Sequence, residues 1–340
     1  MNEQSPQNNV AARAGAQHVH AASNAPVPFG PVASRQTALR WAFTAALLGF
    51  VIAFVSMSRA DRPGDFLYWY TAAQALLRGE SPYDVIPAID PARFETNFFY
   101  PLPAAVLTVP FVALPYAIAG GLFVAISSGL LAYGLARQGV YKLLIFASAP
   151  YLISAVIGTW TPVIAAAVVL PWLGFLAVVK PNVGLASFLY RPTRWMVVGS
   201  VLLLAISLVI RPGWPAEWFH DLMEVPGRVV PLLTPSGPLL LLLVTRWRRP
   251  EARLLLGYAC VPQAPWFYDQ LILWLIPATA RQSINYVYIS LFALLLWMYL
   301  GGVEWRYGTW FLSAVLYLPP LVMIMRRPNE GEPDRGWRDS

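Results

Sequence analysis

Charged side chains are scarce in this sequence of 340 residues. Asp, Glu, Lys and Arg together make up 12% of it, whereas 57% of the residues are hydrophobic and the mean hydropathy is +0.53. Soluble domains are about a quarter charged, so this composition excludes an ordinary soluble domain. About 20 apolar residues cross a bilayer as one helix, and apolar runs recur along the chain. The sequence therefore predicts an all-α, multi-pass membrane protein.

Cysteine and the common cofactor motifs are nearly absent as well. Cys260 is the single cysteine, which excludes an intrachain disulfide and a zinc site built of cysteines. The sequence contains no D-x-D pair, no G-x-x-x-x-G-K-[ST] loop and no H-E-x-x-H helix. The usual carboxylate pair for a metal-bound nucleotide diphosphate is therefore missing. We expect neither a metal nor a cofactor.

The apolar runs divide the chain into a central membrane domain with a tail at each end. Residues 1–36 are predicted to be a disordered cytoplasmic tail, 37–326 the transmembrane domain and 327–340 a second cytoplasmic tail. Because the seventh and eighth apolar segments are short, they could form one kinked helix, which gives nine spans, or a re-entrant pair. The predicted spans are 39–57, 115–136, 142–158, 162–179, 195–210, 229–245, 254–267, 269–280, 283–300 and 308–325.

The positive charge favours ten spans. The net charge of +7 comes from short basic clusters between the apolar runs, as in topology signals, so nucleic acid is not an expected partner. With ten spans and both termini in the cytoplasm, 17 of the 24 basic residues lie on the cytoplasmic side; with nine spans the split is 13 against 11. This topology places the connection 58–102 outside and Lys180 at the inner end of the fourth span.

The outer connection 58–102 is the longest between spans, and it is both polar and aromatic. It contains the stretch GDFLYWYTAAQALLRGESPYD, in which Asp65 precedes a helix-compatible run that ends at Arg78-Gly79. One interpretation is that Asp65 caps the helix, Gly79 stops it and the aromatic rings hold it at the membrane interface. The other is that the helix lies on the bilayer as a lid and that Asp65 is catalytic.

The order of motifs in this connection resembles a known family. A D-F-x-Y-x-Y helix is followed by L-L-R-G-x-S-P-Y-D and then by F-x-Y-P. Over residues 64–110 this pattern is similar to glycosyltransferase family 87, the polyprenol-phosphate-mannose-dependent mannosyltransferases of the GT-C membrane fold. Lys180-Pro181 resembles the K-P of the family. Two positions depart from it: Leu102 separates Pro101 from Pro103, and G-T-W-T at 158–161 stands where many members have G-Q-x-N.

The resemblance implies a GT-C-like bundle of about ten helices and a transfer at the outer face of the membrane. A hexose, in the first place mannose, would pass with inversion from a polyprenyl phosphate to a glycolipid or envelope glycan, and a bacterial inner membrane is the expected location. Asp65 matches the catalytic aspartate and would act as general base.

Other residues are candidates for substrate binding. Arg62 is close in sequence and is a cation for the lipid phosphate. Asp269, at the edge of the bilayer between the short segments, is the second candidate carboxylate. Lys180 is interpreted as an inner-face charge across the membrane from Asp65. The remaining candidates are four tyrosines and one carboxylate of the outer connection: Tyr68, Tyr70, Tyr83, Asp84 and Tyr100. For Tyr83, Asp84 and Tyr100 the alternative role is to brace the loop.

Two alternatives from other functional classes stay open. A catalytically inactive GT-C relative that binds lipid or assists assembly would explain the two departures from the family motifs. A transporter should carry ionisable groups and broken helices near the middle of several spans, whereas the sequence predicts nearly every charge at a span end.

Overall fold

The structure is a computed structural model, and it describes residues 32–59, 64–89, 98–223, 229–263, 267–302 and 307–329. The described part is all-α and contains no β-strand. Arg62 and most of both predicted tails lie outside the described residues. The first helix begins at Arg35, within the segment predicted as a tail.

Thirteen α-helices and six 3₁₀ segments make up the described part. The α-helices are α1 (Arg35–Ser58), α2 (Phe66–Leu77), α3 (Pro82–Ile89), α4 (Leu102–Thr108), α5 (Tyr116–Ala136), α6 (Ala149–Ile157), α7 (Thr161–Val169), α8 (Pro181–Tyr190), α9 (Arg194–Ile210), α10 (Trp214–Met223), α11 (Pro250–Ala259), α12 (Ala280–Tyr299) and α13 (Gly308–Met325). The 3₁₀ segments are Val109–Phe111, Val140–Ala147, Pro171–Val179, Pro231–Leu233, Gly237–Arg246 and Tyr268–Leu275.

Three of these helices, α1, α5 and α13, are long and apolar enough to cross a membrane. Two bent pairs reach the same length together: 140–157, bent by 62°, and 194–223, bent by 100°, which raises the number to five. The described helices thus support a membrane protein. They do not by themselves provide ten full-length spans, because many of the predicted spans are broken into short helices.

Proline explains much of this breakage. Pro171 begins a 3₁₀ segment and Pro181, after Lys180, begins α8, so the run 162–190 is divided twice. Proline removes a backbone donor and clashes with the preceding turn, but it is tolerated at the first position of a helix. The apolar sequence 162–190 therefore forms three short helical segments instead of a continuous helix.

The two longest helices pack closely on each other through small residues. A Cβ atom on Gly49 of α1 would lie 2.7 Å from the Oγ atom of Ser128 in α5. A Cβ atom on Gly129 would lie 3.2 Å from the backbone oxygen of Ala42. Small residues allow helix backbones to approach closely inside a membrane, where dispersion contacts drive association.

Helix α2 lies inside the bundle, which corrects the expectation that it lies on the bilayer as a surface lid. Phe66 and Trp69 are fully buried. The Phe66 ring packs 5.3 Å from that of Phe123 in α5, and the Trp69 ring packs 4.7 Å from that of Tyr100. The aromatic residues of the opening stretch therefore form core contacts rather than an interfacial belt. Gly79, with φ of +75°, ends the helix as predicted.

Candidate functional site

The backbone before Asp65 is held by close packing against the end of α6. A Cβ atom on Gly64 would lie 2.4 Å from the carbonyl oxygen of Ile157, so only glycine fits there. The next residue, Asp65, occupies the N-cap position of α2, but its side chain makes no capping hydrogen bond. The capping interpretation of Asp65 is therefore wrong, and its carboxylate is engaged elsewhere.

Two tyrosines hold the Asp65 carboxylate. The Tyr100 hydroxyl donates to Oδ2 of Asp65 at 3.2 Å, and the Tyr268 hydroxyl also hydrogen-bonds this carboxylate. Burial raises the pKa of Asp65 above its ordinary value of 3.8. The positive charge of Lys180 and the two hydroxyl donors oppose that rise, whereas Asp269 adds to it. A raised pKa makes the carboxylate a stronger base than a solvated aspartate.

A buried ion pair lies beside this carboxylate. The Nζ atom of Lys180 is 2.5 Å from Oδ1 of Asp269, and Thr161 donates its hydroxyl to the same oxygen at 3.0 Å. Lys180 is 8% exposed and Asp269 2%. Buried charges are stable only when they are paired and hydrogen-bonded, and here one carboxylate oxygen receives both donors.

The aromatic rings around Lys180 complete the site. Its Nζ atom lies 4.7 Å from the centre of the Tyr268 ring and 5.7 Å from that of the Tyr100 ring. Both distances are within the range of a cation–π interaction. Since the same two tyrosines hydrogen-bond Asp65, they connect the two halves of the site.

The position of Lys180 corrects the predicted topology. Thr161 and Lys180 stand at the two ends of the predicted fourth span, yet both contact the same oxygen of Asp269. The chain between them must therefore turn back, and it does so at Leu170, between α7 and the 3₁₀ segment 171–179. This segment is a helical hairpin rather than a crossing. Lys180 lies in the same site as Asp65, not across the membrane from it.

Several buried donors around the site have no hydrogen-bond partner within the described part of the chain. They are the indole Nε1 atoms of Trp69 and Trp160 and the hydroxyl of Thr159. The Trp69 ring lies 5.9 Å from the Trp160 ring and 4.7 Å from that of Tyr100. Buried donors are normally paired, so water or the oxygen atoms of a ligand are candidate partners for these groups.

An apolar cavity of about 350 Å³ adjoins the site. Two residues next to site residues line it: Pro101, which follows Tyr100, and Pro181, which follows Lys180. Most of the remaining wall is made of aliphatic and aromatic side chains, among them Leu185, Phe188, Met196, Leu204, Trp214 and Trp218. A ligand with a polar head at the site and an apolar chain in the cavity fits this arrangement.

No protein-family model, curated protein or solved structure matches this chain. The resemblance to glycosyltransferase family 87 therefore stays a prediction.

The other residues predicted for the site take different places. Tyr70 donates its hydroxyl to the carbonyl oxygen of Leu114 at 2.8 Å, and Tyr83 donates its hydroxyl to the backbone carbonyl oxygen of Tyr100 at 3.1 Å. Both tyrosines therefore brace the connection rather than contact the Asp65 carboxylate. Tyr68 is partly buried against the core. Asp84 has a side chain that is 78% exposed and lies 3.9 Å from Arg211, outside the site.

Three members of the site were not predicted from the sequence as members. Thr161 belongs to the departure G-T-W-T, Tyr268 directly precedes Asp269, and the hydropathy profile predicts Lys180 on the opposite side of the membrane. The K-P at 180–181 was the available signal for Lys180, but the hydropathy of 162–179 indicated a crossing. A hydropathy profile does not distinguish a crossing from a hairpin of two short helices.

Proposed function

We propose that this chain is a membrane glycosyltransferase that moves a hexose, in the first place mannose, from a polyprenyl phosphate to a glycolipid or envelope glycan acceptor. The observation that carries the proposal is the meeting of Asp65 and Lys180 in one buried site beside the apolar cavity. A base for the acceptor, a cation for the phosphate and an apolar space for the lipid are the three parts that this reaction needs.

Each part of the site has a role in the proposed step. The acceptor hydroxyl oxygen attacks the anomeric carbon while its proton passes to Asp65. The bond from that carbon to the phosphate oxygen breaks, and its electron pair leaves with the lipid phosphate. Lys180 stabilises the developing negative charge on the phosphate. Its ammonium has three N–H donors and Asp269 accepts from only one of them, so the others can donate to the phosphate oxygens. Attack from the side opposite the leaving group inverts the anomeric carbon.

Asp269 has a positioning role in this proposal. Its carboxylate holds the Lys180 ammonium at 2.5 Å and is itself held by the Thr161 hydroxyl. The tyrosine hydroxyls of Tyr100 and Tyr268 hold Asp65. The reacting groups are thus fixed before substrate binds, which is how a protein lowers the cost of reaching the transition state.

The proposal keeps ten passages through the membrane in a GT-C-like bundle, with the site on the outer side. Helix α8 replaces 162–179 as the fourth passage, and 16 of the 24 basic residues then remain on the cytoplasmic side. Helix α8 starts next to Lys180, is ten residues long and covers about 15 Å. Since the apolar core is about 30 Å thick, the site on this topology lies below the outer surface and has to open towards it.

The donor test separates this proposal from nucleotide-sugar chemistry. Purified protein in nanodiscs is given either polyprenyl-phosphate mannose or a nucleotide sugar, each with and without a chelator. We expect transfer from the lipid donor alone, at a rate unaffected by the chelator. Transfer from the nucleotide sugar that stops on chelation would contradict the proposal, and glucose and galactose donors test the choice of hexose.

A transporter is the second candidate, because the structure shows the feature that the sequence lacked. The pair Lys180–Asp269 is buried where three short helical segments begin: α7, α8 and the segment 268–275. Broken helices around ionisable groups are typical of transport sites. Uptake of a labelled solute by proteoliposomes, with no transfer from any lipid donor, would favour this function. Lipid binding without either activity would favour an inactive GT-C relative.

A further inference from the structure

The apolar cavity and the Asp65 site share one short stretch of backbone, residues 99–101. Tyr100 donates its hydroxyl to Asp65, and Pro101 is part of the cavity wall. The carbonyl oxygen of Phe99 accepts a hydrogen bond from the indole Nε1 atom of Trp218 at 2.9 Å. Because the peptide unit between 99 and 100 is planar, a displacement of that carbonyl oxygen moves the backbone of Tyr100 with it.

Trp218 therefore contacts both the cavity and the backbone of residues 99–101. Its ring is part of the cavity wall, and its N–H group holds the backbone that carries Tyr100. Trp214, one helical turn earlier in α10, also lines the cavity, but its indole N–H has no hydrogen-bond partner in the described part of the chain. The two rings pack with their centres 6.1 Å apart.

The helix that carries these rings is anchored to the rest of the outer region. Glu217 accepts hydrogen bonds from the Arg211 guanidinium at 2.7 and 2.8 Å and from the Ser81 hydroxyl at 2.9 Å. Ser81 immediately precedes α3, in the same connection as Asp65. The backbone of α10 is therefore fixed relative to that connection. A ligand in the cavity would act on the indole ring of Trp218 and not on the position of the helix.

We propose that Trp218 is a positioning residue that couples occupation of the apolar cavity to the placement of the Tyr100 hydroxyl on Asp65. An isoprenoid chain in the cavity presses on the Trp218 ring, fixes its N–H on the Phe99 carbonyl and so holds Tyr100 against the base. Both hydrogen bonds are formed in the structure, and the lipid makes them more persistent. This inference rests on the proposed function, because it assigns the lipid part of the substrate to the cavity.

The test compares Trp218→Phe with Trp214→Phe. Each substitution removes the same ring volume from the cavity wall, so both should weaken lipid binding, but only Trp218→Phe removes a hydrogen bond to Phe99. Hydrogen exchange of the amides of residues 99–108 is measured with and without saturating polyprenyl phosphate. We expect the lipid to protect this segment in the wild-type protein and in Trp214→Phe, and not in Trp218→Phe.

Catalysis provides a second readout. At saturating donor, Trp218→Phe should lower kcat about three- to tenfold, which is the size of one hydrogen bond, whereas Trp214→Phe should change mainly KM. The loss should vanish in a Tyr100→Phe background, because the two residues act through one contact. The acidic limb of the pH profile should move to higher pH in Trp218→Phe, since Asp65 loses a hydroxyl donor while Tyr268, Lys180 and Asp269 still face it.

Several results would overturn the coupling: no protection of 99–108 by lipid in the wild-type protein, equal behaviour of the two variants, or additive effects in the Tyr100→Phe background. The failure of the proposed function has a different signature. Lipid-dependent protection that follows the expected pattern without any glycosyl transfer would support the coupling and contradict the glycosyltransferase.

Discussion

The Nζ atom of Lys180 lies 2.5 Å from Oδ1 of Asp269, although the two residues are 89 positions apart in the chain. Each stands where a short helical segment begins or ends, Lys180 before α8 and Asp269 in the first turn of the segment 268–275. Lys180 and Asp269 meet because the apolar runs 162–179 and 269–280, which hydropathy predicts as membrane crossings, are broken into short helical segments. This contact brings a cation into the site of Asp65, which is what the proposed chemistry requires.

Replacing Asp65 by Asn should strongly lower transfer in a protein that still folds. The side chain makes no capping hydrogen bond, and an amide oxygen can still accept from the Tyr100 hydroxyl, so expression should stay near the wild-type level. Loss of the base should lower the transfer rate by about 10² or more. Turnover at equal protein concentration measures this, and near-normal activity would move the catalytic role to Asp269.

Asp84→Asn is the matched control for that variant, because it makes the same chemical change in the same outer connection. The Asp84 side chain is 78% exposed and lies 3.9 Å from Arg211. Exposed ion pairs contribute little, so both stability and activity should stay near those of the wild-type protein. A loss as large as that of Asp65→Asn would show that the connection as a whole, and not one carboxylate, is required.

Asp65 should also leave a signature in the pH dependence of stability that does not depend on activity. Its pKa is raised in the folded protein above the ordinary 3.8. The folded state therefore binds a proton more tightly than the unfolded state, and the contribution to stability is fully present below about pH 4 and is lost as pH rises through the folded pKa. Asp65→Asn should consequently melt higher than the wild-type protein at neutral pH, with a smaller difference near pH 4. Thermal unfolding in detergent at several pH values tests this, and parallel curves would contradict it.

The Lys180–Asp269 pair should matter more for stability than any surface pair. Lys180→Met leaves the Asp269 carboxylate buried without its cation, which should cost about 3–5 kcal/mol, and Lys180→Met with Asp269→Asn should recover part of that loss. The control is Arg78→Ala, which breaks a pair with Glu80 at 2.7 Å whose side chains are 49% and 43% exposed. That change should cost less than about 1 kcal/mol. Equal losses of stability in Lys180→Met and Arg78→Ala would contradict the burial of the site.

Labelling of single cysteines tests the side of the membrane on which the site lies. In a Cys260→Ser background, a cysteine at position 80 should react with a membrane-impermeant reagent added to intact cells, since the Glu80 side chain is 43% exposed. A cysteine at position 335 should react only after the cells are opened. Labelling of position 80 from the cytoplasm alone would place Asp65 in the wrong compartment for a lipid-linked sugar.

Local signals and composition were enough for part of this molecule. The apolar composition predicted an all-α membrane protein, and Gly79 predicted the end of α2. The carboxylates Asp65 and Asp269, predicted as candidates, lie close enough to interact, and their roles stay a prediction. Each of these depends on properties that a short segment carries by itself: hydropathy, the freedom of glycine to adopt positive φ, and the cost of a carboxylate in apolar surroundings.

Only the tertiary structure decided how the segments fold back. It turned 162–179 into a hairpin, buried α2 in the bundle and brought Thr161, Lys180 and Tyr268 to the two carboxylates. Hydropathy reports how apolar a run is and not whether the chain reverses within it. The reversal at Leu170 keeps its own backbone groups paired, because its N–H donates to the carbonyl oxygen of Ala166 at 2.8 Å and its carbonyl oxygen accepts from the N–H of Leu173 at 2.9 Å. The two ends of the hairpin are held by Asp269, which is distant in the sequence and accepts from both Thr161 and Lys180. The membrane class was therefore readable from the sequence, whereas the site was created by packing.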